Sequence, residues 1–371
     1  MRNVIIYRNN LLPYSETFIK DQADNLTNFK PYFIGLRKVK GVDIKKRYYV
    51  LNSGNLLGSI KEIVFKLTRR SKEIEQVIKK LNPVAIHAHF GPDATIINKI
   101  ANKLNIPLIV SFHGYDVSKV ISKKRISNLM YKSRLNNLIK NCFKCAVASE
   151  FMKNKVLEIG FPKNKIFSYK HGIKINKNKN KIRENLVLFV GRLVEKKGCK
   201  YLIDAMEIVQ KEIPSISIII IGDGYLKEDL KKRAHSKIRN FKFIRYQTHK
   251  NVLDYMERSK LLCVPSLISK DGDPEGFGLV FIEAQSKGLP IISTLSGGIP
   301  EAVKDKITGF LVKEKDSEKI AEKIILLVRN NKIWKKMSTS GIKNVRKNFN
   351  IKNNVKNFEQ VYKLAEKSQK T

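Results

Sequence analysis

Short apolar runs recur along the whole chain, and each ends at a turn-forming or polar residue. Segments with apolar residues at helical spacing separate most of these runs. This alternation predicts an α/β fold of repeated strand–loop–helix units around parallel sheets. The predicted strands include residues 4–7, 84–90, 106–112, 145–149, 186–190, 216–221, 261–264 and 290–293.

The stretch from residue 261 to residue 301 shows the pattern most clearly. A buried strand at 261–264 leads into a polar loop, and the loop leads into a helix that begins near Leu279 and ends at Gly288. A second strand at 290–293 ends in a glycine-rich turn. Open α/β sheets bind ligands beyond the carboxyl ends of their strands, so both loops are predicted to face a ligand.

The first of these loops carries residues suited to an anion and to hydroxyl groups. Backbone N–H groups of Gly276, Phe277 and Gly278 can approach an anion at the helix start, Leu279. The carboxylates of Glu275 and Glu283 are good acceptors for the vicinal hydroxyls of a sugar or ribose. The alternative is that Glu275 is a solvated loop charge and Glu283 a surface helix residue, and the residues alone leave both interpretations open.

A second set of anion-binding residues follows the strand at 186–190. Gly191 begins the loop, and Arg192 and Lys197 can reach one anion from two sides of the turn. The neighbouring Lys196 and Lys200 are interpreted as solvated. After the strand at 216–221, Gly222 and Gly224 form a turn that lacks the third glycine of a dinucleotide fingerprint.

The histidine and cysteine pairs do not predict a metal site. His87 and His89 share one face of a strand, but no nearby Asp, Glu or Cys completes a ligand set, so they are interpreted as structural or substrate-lining. Asp271 and Asp273 are the nearest approach to a D-x-D metal motif. Cys142 and Cys145 are interpreted as buried thiols. His113 follows the strand at 106–112, where it can exchange a hydrogen bond with a substrate hydroxyl.

Several of these segments resemble motifs of one enzyme family. The spacing of Glu275 and Glu283 resembles the E-x7-E motif of the large retaining glycosyltransferase family 4, whose members have the GT-B fold. His113 to Asp116, the loop from Gly191 to Lys197 and residues 296–301 are similar to further motifs of that family, in the same order. Residues 15–19, which read S-E-T-F-I, resemble a subgroup of bacterial exopolysaccharide transferases of the colanic-acid type.

The resemblance implies an α/β GT-B fold with two Rossmann-like domains facing a central cleft. An acceptor-binding domain would span residues 1–175 and receive the C-terminal helix at 351–371, and a donor-binding domain would span 176–348. His113 and Glu275 would contact the donor sugar, Arg192 and Lys197 the diphosphate, and Glu283 the ribose. The remaining residues assigned to the nucleotide-sugar site are Gly191, Gly222, Gly224, Tyr246, Gly276, Phe277, Gly278 and Leu279.

The activity implied is retaining transfer of a hexose from a UDP- or GDP-sugar to a lipid-linked or oligosaccharide acceptor in bacterial surface polysaccharide synthesis. No metal and no further cofactor is expected, because Arg192, Lys197 and the helix start at Leu279 would hold the diphosphate charge. The alternatives are a sugar-nucleotide epimerase or phosphorylase of the same fold, and a basic nucleic-acid-binding protein. The sequence leaves open the sugar, the base, the acceptor, the linkage and the oligomeric state.

The charge balance adds one further expectation. The chain has 73 Lys and Arg against 33 Asp and Glu, a formal net charge of +40. This excess of basic residues is compatible with a compositional bias and with binding to an anionic membrane surface. The chain has no basic run interleaved with aromatic residues, which is the pattern that would predict nucleic-acid binding. With no apolar run of membrane-spanning length and no signal peptide, the chain is expected to be cytoplasmic and peripheral on the inner membrane face. The segment predicted to dock there is the basic amphipathic stretch at 118–141, through Lys119, Lys123, Lys124 and Arg125.

Overall fold

The computed structural model describes residues 1–44, 47–118, 126–175 and 182–369, without the side chains of residues 126 and 127. It divides into two compact units, one of residues 1–174 with 351–371 and the other of residues 175–350. The docking residues expected at Lys119, Lys123, Lys124 and Arg125 lie outside the described residues.

The first unit is built on a parallel sheet of seven described strands, ordered β3-β2-β1-β4-β5-β6-β7. The strands are β1 (Arg2–Leu11), β2 (Phe29–Lys38), β3 (Tyr48–Asn52), β4 (Ile86–His89), β5 (Leu108–Ser111), β6 (Lys144–Val147) and β7 (Ile166–Ser168). Its helices are α1 (Thr17–Asp24), α2 (Leu56–Thr68), α3 (Lys72–Leu81), α4 (Gly91–Lys103), α5 (Ile126–Asn141), α6 (Glu150–Glu158) and the C-terminal α14 (Ile351–Ser368).

Alternation along β1 explains why helices cover both faces of this sheet. Ile5 and Tyr7 point into one apolar core, and Val4 and Ile6 point into the other. The second core also contains residues of the C-terminal helix, among them Phe358 and Tyr362. The carboxylate of Glu359, on the same helix, accepts hydrogen bonds from the backbone N–H groups of residues 27 and 28. Helix α14 is therefore part of the first unit.

The second unit contains a parallel sheet of six described strands, ordered β10-β9-β8-β11-β12-β13. Counted within the unit, this is the Rossmann order 3-2-1-4-5-6. The strands are β8 (Leu186–Val190), β9 (Ser217–Ile221), β10 (Phe241–Ile244), β11 (Leu261–Cys263), β12 (Ile291–Thr294) and β13 (Gly309–Val312). The helices are α7 (Cys199–Glu212), α8 (Lys227–Lys237), α9 (His249–Arg258), α10 (Leu279–Ser286), α11 (Ile299–Ala302), α12 (Ser317–Arg329) and α13 (Asn331–Asn348).

The predicted buried strands of the second unit are confirmed. The side chains of Val187, Leu188 and Phe189 in β8 are fully buried, as are those of Leu261 and Leu262 in β11. The helix predicted from Leu279 begins at that residue. Gly288 follows the helix with φ +69°, the left-handed conformation that lets glycine end a helix. Cys142 and Cys145 are buried free thiols, as predicted.

Candidate active site

The candidate site of the second unit lies where its strand order reverses, between β8 and β11. At such a point the loops that follow the two central strands diverge and leave a crevice beyond the carboxyl edge. The loop after β8 carries Gly191 to Gly198, and the loop after β11 carries Pro265 to Gly278. The predicted anion-binding residues of both loops are therefore placed at one end of one sheet.

Gly198 lets these two loops touch. Its φ of +64° favours glycine, and a Cβ at this position would lie 1.9 Å from the carbonyl oxygen of Pro265. Close by, the backbone N–H of Leu267 donates to the carbonyl of Lys196 at 2.8 Å. This contact fixes the 3-10 turn Glu195–Lys197 against the second loop.

The interpretation of Lys196 as a solvated residue is wrong. Its side chain is buried, and its ammonium group lies 3.2 Å from the carboxylate of Asp273 and 3.3 Å from the carbonyl of Pro274. A buried ammonium group needs such partners, because the interior does not solvate its charge. Lys196 thus ties the two loops together, and Asp273 of the D-x-D look-alike is its counter-ion.

The adjacent Lys197 points to a different carboxylate, that of Glu275, with which it forms a hydrogen-bonded ion pair. Burial alone would raise the pKa of Glu275, but the charges of Lys197, Lys196 and Arg192 bring it below its ordinary value. Burial, together with Lys196 and Arg192, lowers the pKa of Lys197 in spite of Glu275. Arg192 itself is exposed. The ionised Glu275 therefore faces an excess of positive charge, which suits an anionic ligand.

The glycine turn after β12 holds the backbone of Glu275. The N–H of Gly298 donates to the carbonyl of Glu275 at 2.9 Å. A Cβ on Gly297, whose φ is +53°, would lie 2.2 Å from the same carbonyl oxygen. The turn at 296–301 thus positions the acidic loop by close backbone contact.

The segment from Gly276 to Leu279 leads directly into α10. Gly278 precedes the helix with φ +85°, and Phe277 is buried against the ring of Phe349 with the ring centroids 5.6 Å apart. The first N–H groups of α10 follow without a side-chain cap. This geometry suits the predicted anion contact at the helix start.

Glu283 lies on α10 and contacts a residue that sequence reasoning missed. His249 is the first residue of α9, and its Nε2 lies 3.0 Å from the carboxylate of Glu283. Tyr246 lies three residues earlier, exposed on the loop after the edge strand β10. His249 could have been found by its position, because it too follows the carboxyl end of a strand in this sheet.

The predicted nucleotide turn at Gly222 and Gly224 packs against the loop after β8. A Cβ on Gly222 would lie 1.9 Å from the carbonyl oxygen of Gly191, and one on Gly224 would lie 2.3 Å from that of Leu193. The N–H of Leu193 also donates to the carbonyl of Asp223 at 2.8 Å. These glycines therefore bring two neighbouring loops into backbone contact.

At the carboxyl edge of the first sheet, His113 belongs to a column of stacked histidine rings. His89 Nδ1 lies 3.1 Å from His113 Nε2. The ring of His89 stacks on that of His87 at 4.4 Å between centroids, and the ring of His171 lies 6.4 Å from that of His113 on the other side. Phe18 packs edge-on against three of these rings. His171 is a second residue that sequence reasoning did not select.

All four histidines of this column favour the neutral form. Burial lowers the pKa of His87 to about 3 and that of His171 to about 4. Burial, followed by the neighbouring histidines and Arg8, keeps the pKa of His89 and of His113 well below the ordinary value. The column is thus a neutral wall of rings whose nitrogen atoms can donate or accept hydrogen bonds.

Two buried acidic positions shape the loops around this column. Asp116 accepts hydrogen bonds from the backbone N–H groups of His113, Gly114 and Gly91, at 3.0 to 3.1 Å. Burial raises its pKa to about 6 in spite of these bonds. Glu16, within the S-E-T-F-I segment, forms a two-pronged ion pair with the buried Arg8.

The histidines on one face of β4 are satisfied in part by protein groups. His87 Nδ1 lies 2.7 Å from the hydroxyl of Tyr362, and its Nε2 lies 2.8 Å from that of Ser111. Across the described residues, no three His, Cys, Asp or Glu side chains are grouped as metal ligands. The structural interpretation of His87 therefore accounts for both of its ring nitrogen atoms.

Two Rossmann-like domains in one chain, each with its candidate residues at the carboxyl edge of a parallel sheet, define a protein of the GT-B class. The model of the glycosyl transferases group 1 matches residues 172–347, and that of glycosyltransferase family 4 matches residues 45–177. The two models together cover residues 45–347, so the chain is a glycosyltransferase related to group 1 and family 4 over most of its length.

Relatives and solved structures agree with this assignment. The amylovoran biosynthesis glycosyltransferase of Erwinia amylovora is 29% identical over 252 residues, 64% of this chain and 60% of the relative. The putative colanic acid biosynthesis glycosyltransferase of Escherichia coli is 25% identical over 251 residues, 64% of this chain and 59% of the relative. The matched regions thus span less than two thirds of these two relatives.

Among solved structures, the Anabaena protein Alr3699/HepE in complex with UDP has a TM-score of 0.77 at 17% identity, covering 97% of this chain and 99% of that one. The sucrose-phosphate synthase of Thermosynechococcus elongatus has a TM-score of 0.75 at 15% identity, covering 98% and 99%. At these identities the likeness shows a shared fold.

Proposed function

We propose that this chain is a retaining, metal-independent hexosyltransferase that takes a sugar from UDP- or GDP-sugar and builds a bacterial surface polysaccharide on a lipid-linked acceptor at the inner face of the membrane. The observation that carries the proposal is the excess of positive charge around Glu275 at the switch point of the second sheet. A sugar diphosphate needs such an environment when it leaves, because negative charge develops on the departing phosphate.

The residues of the second unit take the following roles. Arg192, Lys197 and the first N–H groups of α10 bind the diphosphate, and Glu283 accepts from the ribose hydroxyls. Glu275 accepts from a hydroxyl of the donor sugar. Separately, at the carboxyl edge of the first sheet, His113 has a neutral ring that is suited to a hydrogen bond with a substrate hydroxyl.

In the reaction, the bond between the anomeric carbon and the donor phosphate breaks, and a bond to the acceptor oxygen forms on the same face. The acceptor hydroxyl gives its proton to the departing phosphate, so this route needs no protein nucleophile. A covalent glycosyl-enzyme intermediate is the alternative route to the same stereochemical result.

The relatives support the choice of substrate class. The names of two of them refer to amylovoran and to colanic acid biosynthesis, and structures of Alr3699/HepE contain UDP or UDP-glucose. A corynebacterial relative, 33% identical over 138 residues, is named as a GDP-mannose-dependent transferase that acts on a phosphatidylinositol mannoside. These names support both bases and a lipid-borne acceptor.

The test is a panel of UDP- and GDP-sugars, each scored by thermal stabilisation of the full chain and by release of nucleotide diphosphate, with and without EDTA. We expect one donor to raise the melting temperature through preferential binding to the folded state, and its turnover to survive EDTA. The anomeric configuration of the product then separates retention from inversion. Absence of stabilisation by every donor would contradict the proposed function, and turnover abolished by EDTA would contradict its metal independence.

A further inference from the structure

Helix α2, Leu56–Thr68, is amphipathic, but it exposes its apolar face and buries a charged residue, the reverse of an ordinary surface helix. Its buried positions are Gly58, Glu62 and Phe65, so a carboxylate faces the protein. Its outward face is apolar at helical spacing. The exposed large side chains are Leu56 (77%), Leu57 (68%), Ile60 (48%), Ile63 (58%), Val64 (46%) and Leu67 (57%).

The inward carboxylate fixes which face points outward. Glu62 accepts hydrogen bonds from Arg37 Nη2 at 2.6 Å, Lys66 Nζ at 2.5 Å and Asn52 Nδ2 at 2.9 Å. Burial would raise its pKa, but these partners lower it to about 2. Gly58 permits the close approach, since a Cβ there would lie 2.7 Å from Asn52 Oδ1. The helix is therefore anchored by a hydrogen-bonded charge, and rotating it inward would expose Phe65 and break these bonds.

The apolar face is large for a surface that water covers. Six side chains with these exposures present on the order of 600 Å² of mostly apolar area, at the upper end of what monomeric proteins show as their largest patch. The helix is about 20 Å long at 1.5 Å per residue, too short to span a bilayer but long enough to lie in its surface. None of the described helices is long and apolar enough to cross a membrane.

Cations flank this face and are concentrated at the C-terminal end of the helix. Lys61 pairs with Glu73, and the last turn carries Lys66. At the C-terminal end Lys99 donates to the carbonyl of Thr68, and Arg134 donates to those of residues 66 and 67. The basic residues on or beside the helix are Lys61, Lys66, Arg69, Arg70, Lys72, Lys99 and Arg134, against the carboxylates of Glu62, Glu73 and Glu75.

This charge pattern selects the occupant of the apolar face. A second copy of the chain would bring the same basic rim against itself, and like charges across a dry interface are repulsive. An anionic lipid surface instead offers hydrocarbon for the apolar side chains and head-group charge for the cations.

We propose that α2 is an in-plane membrane anchor that inserts its apolar face among the head groups and upper acyl chains of an anionic bilayer. The proposal rests on the proposed function for its purpose, delivery of the first unit to a lipid-linked acceptor, but its test does not depend on activity. It places the docking surface in described residues and does not use Lys119, Lys123, Lys124 or Arg125.

The test uses the full chain in a vesicle flotation assay with phosphatidylcholine vesicles, with or without phosphatidylglycerol. The variant Leu56→Gln/Ile60→Gln/Ile63→Gln/Leu67→Gln removes the apolar face but keeps good helix formers and every charge. Its matched control changes four exposed aliphatic residues elsewhere, Leu157→Gln/Ile208→Gln/Ile307→Gln/Leu364→Gln. We expect the wild type and the control to float with the anionic vesicles, and the α2 variant to lose roughly tenfold or more of its partitioning.

A second measurement reports insertion directly. All four native cysteines are buried, so Ile63→Cys gives one accessible thiol for a polarity-sensitive fluorophore. With anionic vesicles we expect a blue shift and quenching by spin labels on the upper acyl chain, and neither at a labelled Ile307→Cys. Equal partitioning of the α2 and control variants, or an unshifted label at residue 63, would overturn the proposal.

Self-association gives a third outcome. A dimer of the wild type in lipid-free solution that the α2 variant loses would assign the face to a second copy and overturn the lipid proposal. Donor-induced thermal stabilisation, measured on the same preparations, keeps this result separate from the proposed function. A chain that binds vesicles through α2 but no nucleotide-sugar would contradict only the transferase proposal.

Discussion

At the carboxyl edge of the second sheet, Arg192, Lys196 and Lys197 face the carboxylates of Asp273 and Glu275. The corresponding edge of the first sheet carries four histidines whose rings are kept neutral by burial, beside the internally paired Arg8. Both edges lie at the end of parallel strands, yet one is charged and the other is a wall of neutral rings.

This difference shows that the fold determines where a ligand-binding site forms, whereas the residues of the loops determine its chemical character. In the second unit, glycines at positions 198, 222 and 297 bring backbones together so tightly that a Cβ would lie within 2.2 Å of a carbonyl oxygen. That closeness concentrates cations around one carboxylate. In the first unit, the aromatic rings of Phe18, Phe90 and the histidines exclude water, and the pKa values fall as a result.

The largest expected effect is on the charged edge. Lys197→Ala or Arg192→Ala should lower kcat/KM by about 100- to 1000-fold, because each removes a preorganised charge from the departing diphosphate. Steady-state kinetics with the donor found by thermal stabilisation would measure the loss. Lys200→Ala is the matched control, since Lys200 is an exposed lysine three residues further on. Equal turnover of all three variants and the wild type would contradict the proposed stabilisation of the diphosphate by Arg192 and Lys197.

Replacement of the neighbouring Lys196 should affect stability more than turnover. Lys196→Ala leaves Asp273 buried without its counter-ion, so the free energy of unfolding should fall by about 3 kcal/mol. Denaturant unfolding would measure the fall. Lys197→Ala should be less destabilising but more damaging to turnover. A Lys196→Ala variant as stable as Lys197→Ala would show that the Lys196–Asp273 pair does not hold the loops.

The neutral edge should respond to acid. The folded pKa of His87, about 3, lies below its unfolded value, so below pH 6.5 the unfolded chain takes up a proton that the folded chain refuses. The stability is present above about pH 6.5 and is lost as the pH falls towards the folded pKa, by about 1.4 kcal/mol per pH unit for this residue. Asp116 acts in the other direction, because its folded pKa of about 6 stabilises the folded chain as the pH falls through that value.

Variants separate these two contributions. Between pH 6 and pH 4, His87→Gln should flatten the loss of stability, whereas Asp116→Asn should steepen it, each by about 1.4 kcal/mol per pH unit. Denaturant unfolding at several pH values gives the slopes, and the exposed His235→Gln is the control. Because the slope is the readout, a variant that is less stable at every pH still tests the argument. Slopes parallel to the wild type in both variants would exclude a neutral column.

The same contrast explains which features the sequence could predict. The central strands of both sheets and the loops after them followed from apolar runs and their terminators, because a buried parallel strand must be apolar on both faces. The strands β2, β3 and β13 were not predicted. Glu275, Lys197 and Gly297 lie at one edge because the strands that precede their loops are parallel neighbours. The start of α10 at Leu279 followed from the helical pattern of apolar residues that begins there.

The partner of each charged or aromatic side chain could not be predicted, because it depends on distances between loops that are remote in sequence. Lys196 and Lys197 look alike in the chain, and only the fold shows that one faces Asp273 and the other Glu275. The histidine column joins residues as far apart as 87 and 171. The inverted burial of α2 depends on Arg37 and Asn52, which lie on other strands.

The smallest expected effect concerns Glu283, which tests whether the charged edge also reads the nucleotide. Its contact with His249 shows that its carboxylate is accessible to a hydrogen-bond donor. Glu283→Gln keeps the shape but replaces a charged acceptor with a neutral one, a difference of about 1 kcal/mol for a hydroxyl donor. Calorimetry should therefore show roughly fivefold weaker binding of the free nucleotide, with turnover at saturating donor less affected.

Glu275→Gln should lower turnover more than nucleotide affinity, because its proposed partner is the sugar and not the ribose. His249→Ala is the control for the protein contact: if it weakens nucleotide binding as much as Glu283→Gln, the pair acts by orienting α9. Normal nucleotide affinity in Glu283→Gln would exclude the ribose contact and confine the recognition at this edge to the diphosphate.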